Sequence, residues 1–546
     1  MRTILYFRSL KKKRLEELWG FSLLPFASAC GGGEGKAYGA QATSIDDFKP
    51  AQEIYFSGIE VHEVERADWV AALQMDQMEV VTHLLAEHNR VLQFHFMTGE
   101  PTYELTDIVQ DVTAASPKIQ VAAHEIFDKL NETLDVSFQL TEDPLQNNVI
   151  SVGLSRQPDS AGQGFFPNDY YFIGSDIFIA DDYASPELLP SGISNYDYEV
   201  LLHEIGHALG LKHTFAADEN NTYVLDYAHD NSFWTAMSYT EVPLTFDGEF
   251  RDFDLMALSE YYGINARYNA GNDTYTFNDQ FGIIIVDGAG SDSIDYSDST
   301  QDSFLDLRPG SESYLGAKAD LISEPYQMAI AYSVDIEDVY AGSGSDTIIG
   351  NSSDNYIVSS GGNDTLFPGE GSDTVCAGLG SNLIDLTEIS PARDTIIFDE
   401  NCLRFGHTKI YGFQQHGAYH SDLISFRGTD FNVVDLPDSS KITNTALEVT
   451  QLEGNEVGLT LQSGNEFIFF TSTSNTGGSP QELVFFKDGP GGLHVNNFAT
   501  FYGVNVDLDF WDFDAHIVWN AQNRRRRMLK NPAIQEFGVL MDYGIS

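Results

Sequence analysis

His203-Glu204-Ile205-Gly206-His207-Ala208-Leu209-Gly210-Leu211-Lys212-His213 is the stretch that decides how the rest of the chain is read. His203 and His207 are four residues apart, so on an α-helix their imidazoles share one face, a turn apart, close enough to grip a single ion. Glu204 stands beside them, where a carboxylate can take a proton from zinc-activated water as that water attacks a carbonyl. Gly210 tolerates positive φ, which lets the helix stop and the chain turn back with His213 as a third ligand. A lone histidine on an apolar helix face is more often a core residue than a ligand, and a bare H-E-x-x-H arises by accident. The extended pattern, with its glycine and third histidine, is expected by chance in about one of 10⁴ chains of this length, which leaves the zinc reading standing.

The helix is predicted to begin near Tyr196, with Leu201, Leu202, Ile205, Ala208 and Leu209 facing the core and holding the histidines still. Downstream lies Thr235-Ala236-Met237-Ser238-Tyr239. Together these residues resemble the metzincin clan of zinc endopeptidases, whose H-E-x-x-H-x-x-G-x-x-H is followed by a methionine turn. Met-Ser-Tyr is similar to the serralysin and astacin version of that turn. The resemblance implies that His203, His207 and His213 hold zinc and that Met237 lies beneath the metal. It also implies that Glu204 is general base and then proton donor, and that Tyr239 is a fifth ligand that swings away to stabilise the oxyanion. Serralysins have proline directly after the third histidine, whereas this chain has Thr214. The acidic residues Asp218, Glu219, Asp226 and Asp230 that follow read as a solvated loop.

The chain has 546 residues, 42% of them hydrophobic, enough for several domains and at least one large core. Its 82 acidic and 29 basic residues give a formal charge of −53, which argues against nucleic acid or an anionic membrane surface as the main partner. So acidic a chain repels itself when compact unless cations neutralise it, and calcium is the obvious candidate. Three cysteines, Cys30, Cys376 and Cys402, do not make a disulfide scaffold; Cys376 and Cys402 are left either as a pair or as buried thiols.

From Ala341 the sequence repeats every nine residues as G-G-x-G-x-D-x-U-x, where U is large and apolar. The sixth positions are Asp346, Asn355, Asp364, Asp373 and Asn382, and the eighth are Ile348, Ile357, Leu366, Val375 and Ile384. Gly342, Gly344, Gly362, Gly369, Gly371, Gly378 and Gly380 allow tight turns whose carbonyls, with the carboxylates, offer hard oxygen ligands to calcium. The pattern resembles the RTX family, which implies a parallel β-roll with calcium between its turns. Asp346, Asp364 and Asn382 are then expected on one edge and Asn355 and Asp373 on the other. The asparagines, and the missing glycines at Gly350-Asn351-Ser352-Ser353, should leave some sites weak or vacant. Degenerate units stand earlier, at Asp287 to Ile294 and Gly271 to Tyr275.

The fold class expected is multidomain: an α/β metzincin-like zinc peptidase domain, then a parallel RTX β-roll and a β-sandwich C-terminal domain. Residues 1–30 are basic, then apolar, and end in Ala27-Ser28-Ala29-Cys30, which looks like a bacterial lipoprotein signal. A lipid anchor through Cys30, a plain cleaved export signal and an ordinary N-terminus all stay open. Residues 31–60 read as a linker. The peptidase domain is placed at 61–263, with 61–90 either a pro-segment or its first helices. Strands are expected at Val91 to Phe96, Val136 to Leu140 and Val149 to Val152, and a helix from Ser116 to Leu134. Ser175 to Ile179 is the last strand before the zinc helix, and by resemblance the sheet edge along the substrate cleft. The roll is placed at 264–430, and 431–546 is β-rich with a tail in which Arg524 to Arg527 is solvated. Serralysins usually leave by a C-terminal apolar signal; both ends of this chain depart from that, so the export route stays open. The function implied is a secreted or surface-attached, monomeric zinc endopeptidase acting on proteins and peptides, stabilised by calcium. The alternative is a calcium-binding RTX adhesin or binding protein with an inactive peptidase-like domain, against which stands the retention of Glu204 beside three histidines.

Overall fold

A computed structural model describes residues 53–54, 57–101, 109–157, 160–168, 175–181, 195–218, 220–242, 248–390, 392–398 and 406–413, with a series of strands between 422 and 519. The signal reading of residues 1–30, Cys402 and Arg524 to Arg527 lie outside the described residues. Among the described residues no helix is long and apolar enough to cross a membrane.

The first half is a sheet with helices. Its elements are α1 (Asp68–Ala71), α2 (Glu79–Glu87), β1 (Val91–Phe96), β2 (Gln110–Thr113), α3 (Pro117–Thr133), β3 (Ser137–Leu140), β4 (Val149–Arg156), β5 (Gly162–Gly164), β6 (Ile177–Ala180), α4 (Asn195–Ala208) and α5 (Asp252–Tyr262). Ser116 starts α3 by accepting the Ile119 amide on its hydroxyl, with Pro117 in the first turn. Ile119, Ala122, Ala123, Ile126, Phe127 and Leu130 then recur at helical spacing and are buried. The strand order is β3-β1-β4-β6-β5, with β2 also paired to β4. β1, β3, β4 and β6 run parallel, while β5 is antiparallel to β6.

This order corrects one expectation. The strand containing Ile177 to Ile179 is interior, flanked by β4 and β5, and the edge is Gly162–Gly164. Three residues with two glycines carry no apolar alternation that would mark a strand. The sequence between α1 and α2 is woven into the turn after α4. The Met75 amide donates to the Gly210 carbonyl at 2.9 Å and the Lys212 amide to the Leu73 carbonyl at 2.7 Å. Val70, Leu73, Met75, Met78, Val81 and Leu85 join α4 in the core.

Beyond Thr274, short strands fall into two long sheets. Thr347 pairs with Thr365 in one and Tyr356 with Thr374 in the other, both in parallel. The offset is two nonapeptides, so successive repeats alternate between sheets. Ile348, Ile357, Leu366, Val375 and Ile384 are fully buried between them. Thr395–Phe398 and Leu423–Phe426 continue the same sheet in parallel, keeping Ile396 and Ile424 in register with Val375. An antiparallel run of Glu466–Ser472, Gln481–Gly489 and Gly492–Tyr502 follows.

The two halves share one core: buried apolar side chains form a continuous cluster from Val70 to Ala499. At the join, the Ser259 hydroxyl accepts the Tyr332 amide, and the Ser333 hydroxyl accepts the Ile264 amide. Residues 57–62, read from sequence as linker and domain start, lie on the roll instead. The Ser57 amide donates to Asp385, Arg308 donates to the His62 carbonyl, and Val61 is buried with Ile349 and Phe367. An apolar valine finds cover there that a solvated linker would not give it.

Candidate active site

Helix α4 is buried from Leu201 through Ala208, His203, Glu204 and His207 included. It ends where Gly210 takes φ +96°, a left-handed conformation that favours glycine, and the chain returns through Leu211 and Lys212 to His213. Nδ1 of His203 faces the Ala236 carbonyl at 2.8 Å, and Nδ1 of His207 the Leu211 carbonyl at 2.7 Å. A carbonyl only accepts, so both protons sit on Nδ1 and both Nε2 atoms present lone pairs. Those two Nε2 atoms stand 3.1 and 3.0 Å from Nε2 of His213.

Burial lowers His203 to about 4 and His213 to about 3, and takes His207 well below its ordinary value, so the rings are neutral. Neutral nitrogens facing one another at this distance suit a cation between them. Tetrahedral zinc, with nitrogen ligands at about 2.0–2.1 Å, sets them roughly 3.3 Å apart. The Tyr239 hydroxyl lies 2.9 Å from the same His213 Nε2, on the exposed side.

Two supports position these groups. Asp254 on α5 accepts the Ala236 amide at 2.8 Å, the Arg251 amide at 2.9 Å and the Thr235 hydroxyl at 2.6 Å, which fixes the segment whose carbonyl orients His203. Met237 is fully buried, and its sulfur presses on α4 so closely that a Cβ on Gly206 would sit 2.5 Å from it. The loop after His213 is held from beneath by Lys212. Its buried ammonium donates to the carbonyls of His213, Ala216 and Tyr223 at 3.3, 2.7 and 2.9 Å. Thr214 donates to Asp230 at 2.6 Å, and Asp226 is bonded to His229, so these two acids have local partners.

Glu204 is buried under β5, and the Gly164 amide hydrogen-bonds its carboxylate. Burial still raises the carboxyl to about 8. The strand approaches the helix so closely that a Cβ on Gly164 would stand 2.6 Å from the Glu204 carbonyl oxygen and 2.9 Å from His207 Cβ. Gly164→Ala is therefore expected to push β5 off the helix and cost about 1–3 kcal/mol, read as a lowered thermal midpoint together with reduced activity.

Along the roll, three of the five sixth-position side chains accept the amide of the sixth residue two repeats earlier. Asp364 accepts Asp346 and Asn382 accepts Asp364, both at 3.0 Å, which places these three on one edge. Asp373 accepts Asn355 at 2.8 Å on the other. That second ladder continues through Asp394 and Asp422, at 2.9 and 3.1 Å, two residues the sequence reading did not mark because the spacing widens to 21 and 28. One carboxylate oxygen of Asp373 is buried without a hydrogen-bond partner, which suits a cation. Asn355 instead donates its side-chain amide to the carbonyls of Ile336 and Glu337, and Asn382 donates to that of Ala377. Gly362, Gly369, Gly371, Gly378 and Gly380 take positive φ, while Gly342 and Gly344 do not. A further acidic group, Asp273, Asp287 and Asp292, converges within 4.8 Å in the degenerate first units. Cys376 is half-buried in the roll.

Comparison with known proteins finds two kinds of likeness. The RTX calcium-binding nonapeptide repeat matches residues 340–384 in four copies. The chain is similar to serralysin of Proteus mirabilis, 33% identical over 224 residues, which is 36% of this chain and 42% of that protein. It is also similar to the metallopeptidase AprA of Pseudomonas marginalis, 30% identical over 34% of this chain and 43% of that protein. Serralysin G of Dickeya chrysanthemi is 31% identical over 36% of this chain and 45% of its own length. The chain thus spans under half the length of these relatives.

Proposed function

We propose that this chain is a zinc-dependent endopeptidase of the serralysin type, with a metzincin-like peptidase half, that hydrolyses peptide bonds of proteins and is stabilised by calcium in its RTX repeats. The observation that carries the proposal is the convergence of three neutral imidazole Nε2 atoms beside a buried carboxylate, with a phenol at the rim. His203, His207 and His213 would hold the ion, and Met237 would form the floor. Zinc bound there supplies Lewis-acid polarisation and lowers the pKa of water toward about 7. Glu204 takes a proton from the attacking water and returns it to the leaving nitrogen. The Tyr239 hydroxyl, on the exposed side of the site, donates to the oxyanion. An extended substrate adds to the sheet edge at β5, which delivers its carbonyl alongside Glu204.

Residues 68–90 serve as the first helices of the enzyme, because removing them would strip the core next to His213. The peptidase half ends near Gly263, the roll occupies 264–430, and 431–546 caps it, with a β-sandwich as the finer reading. Calcium ligation falls to Asp346, Asp364 and Asp373, and further to Asp273, Asp287 and Asp292. A calcium-built roll suits the millimolar calcium outside cells, and so a secreted monomer, either free or held by lipid on Cys30.

The test uses the full chain. About one zinc per molecule together with hydrolysis of casein is the expected result. Zinc bound without hydrolysis of any protein would favour a binding module that has kept a dead site.

A further inference from the structure

We propose that Phe215 is a specificity-determining residue, selecting peptides that carry a large apolar side chain next to the scissile bond; this rests on the endopeptidase reading above. Its ring stacks on His213 with centroids 5.1 Å apart and planes within 10°, and leans on Tyr239 at 4.9 Å and 51°. Phe166, just past β5, lies edge-on to His207 at 5.5 Å and 84°. Phe215, Tyr239 and Phe166 remain 42%, 40% and 37% exposed, three apolar surfaces left in water around one ligand cluster.

Phe215 is also rigid at its root. The Lys212 ammonium binds the carbonyls of His213 and Ala216, on either side of it in sequence. An aromatic ring fixed in this way loses little freedom when a side chain packs on it, so the burial is realised as affinity. A peptide carbonyl brought to the three imidazoles sets its neighbouring side chains against these rings. Large apolar groups cover them, whereas small or charged groups leave them wet. Pockets of this kind discriminate about 10–200-fold.

The assay compares fluorogenic peptides that differ only in the residues flanking the cleaved bond, Leu or Phe against Ala, with calcium-loaded, zinc-loaded full-length protein. Wild type is expected to favour the large side chains by about 10–100-fold in kcat/KM. Phe215→Ala should reduce that preference below about threefold while changing kcat/KM for the Ala peptide far less. Phe215→Leu, which keeps apolar bulk and serves if the alanine variant misfolds, should retain the preference for Leu and lose that for Phe. A wild type without preference, or a variant that keeps the full preference, overturns the assignment of Phe215 while leaving the endopeptidase reading intact. Cleavage of neither peptide by the zinc-loaded wild type overturns both.

Discussion

Glu204→Gln is expected to retain zinc and fold while losing about 10²–10⁴-fold or more in kcat/KM on casein, the range a positioned acid–base group contributes. Glutamine is nearly isosteric, and its carbonyl oxygen can still accept the Gly164 amide. Burial raises the Glu204 carboxyl to about 8, so near pH 7 the metal-free group is already mostly neutral and the neutral, nearly isosteric glutamine should leave the thermal midpoint little changed. Metal content and kinetics on the same sample check this. A variant with more than a tenth of wild-type turnover would show that another group moves the proton.

Withdrawing calcium should have the largest effect on structure, and the effect depends on pH. Burial raises Asp346 to about 6 and Asp364 and Asp373 to about 7; Asp394, buried and crowded by Asp422 and Asp373, rises to about 9. An unfolded aspartate titrates near 4, so each folded value is raised. The stability tied to these protonated carboxyls is full below about pH 4 and is lost as pH rises through about 6–9. Calcium reverses the trend by accepting the ionised form, and at about 1,000 times its dissociation constant contributes about 4 kcal/mol per site.

In calcium-free buffer the β signal should therefore be weak at pH 8 and stronger at pH 5, and the half-saturating calcium concentration should rise as pH falls. Because the core runs unbroken from Val70 to Ala499, the half that carries His203 and His213 should lose thermal stability along with the roll. A circular dichroism spectrum at pH 8 that ignores calcium would refute this account. The Asn355 and Asn382 amides, already bonded to carbonyls, should hold their turns with no ion at all.

What the chain reveals before folding follows from how local its signals are. His203, Glu204 and His207 are legible because helix geometry alone brings them together, and Gly210 announces the turn that returns His213. The roll is legible because a nine-residue period survives in the sequence, and Asp394 and Asp422 escape notice where it lapses. β5 is silent because its part in the site is the absence of side chains. Lys212 looks like a solvated charge until the loop closes over it, and Phe215 looks like any aromatic until its neighbours are placed. Asp254 lies in a helix that could be recognised, but two of its three donors come from Thr235 and Ala236, in a segment its own helix does not announce.

Glycine-to-alanine exchange is a common route to hardier proteins, since it trims the freedom of the unfolded chain. Around this helix that route is closed. Gly164 has backbone at 2.6 Å where a methyl would go, and Gly210 combines φ +96° with the Met78 sulfur at 2.5 Å. An engineer seeking a heat-tolerant form would therefore have to leave this helix untouched and work on distant surfaces, where a change in stability need not disturb the site.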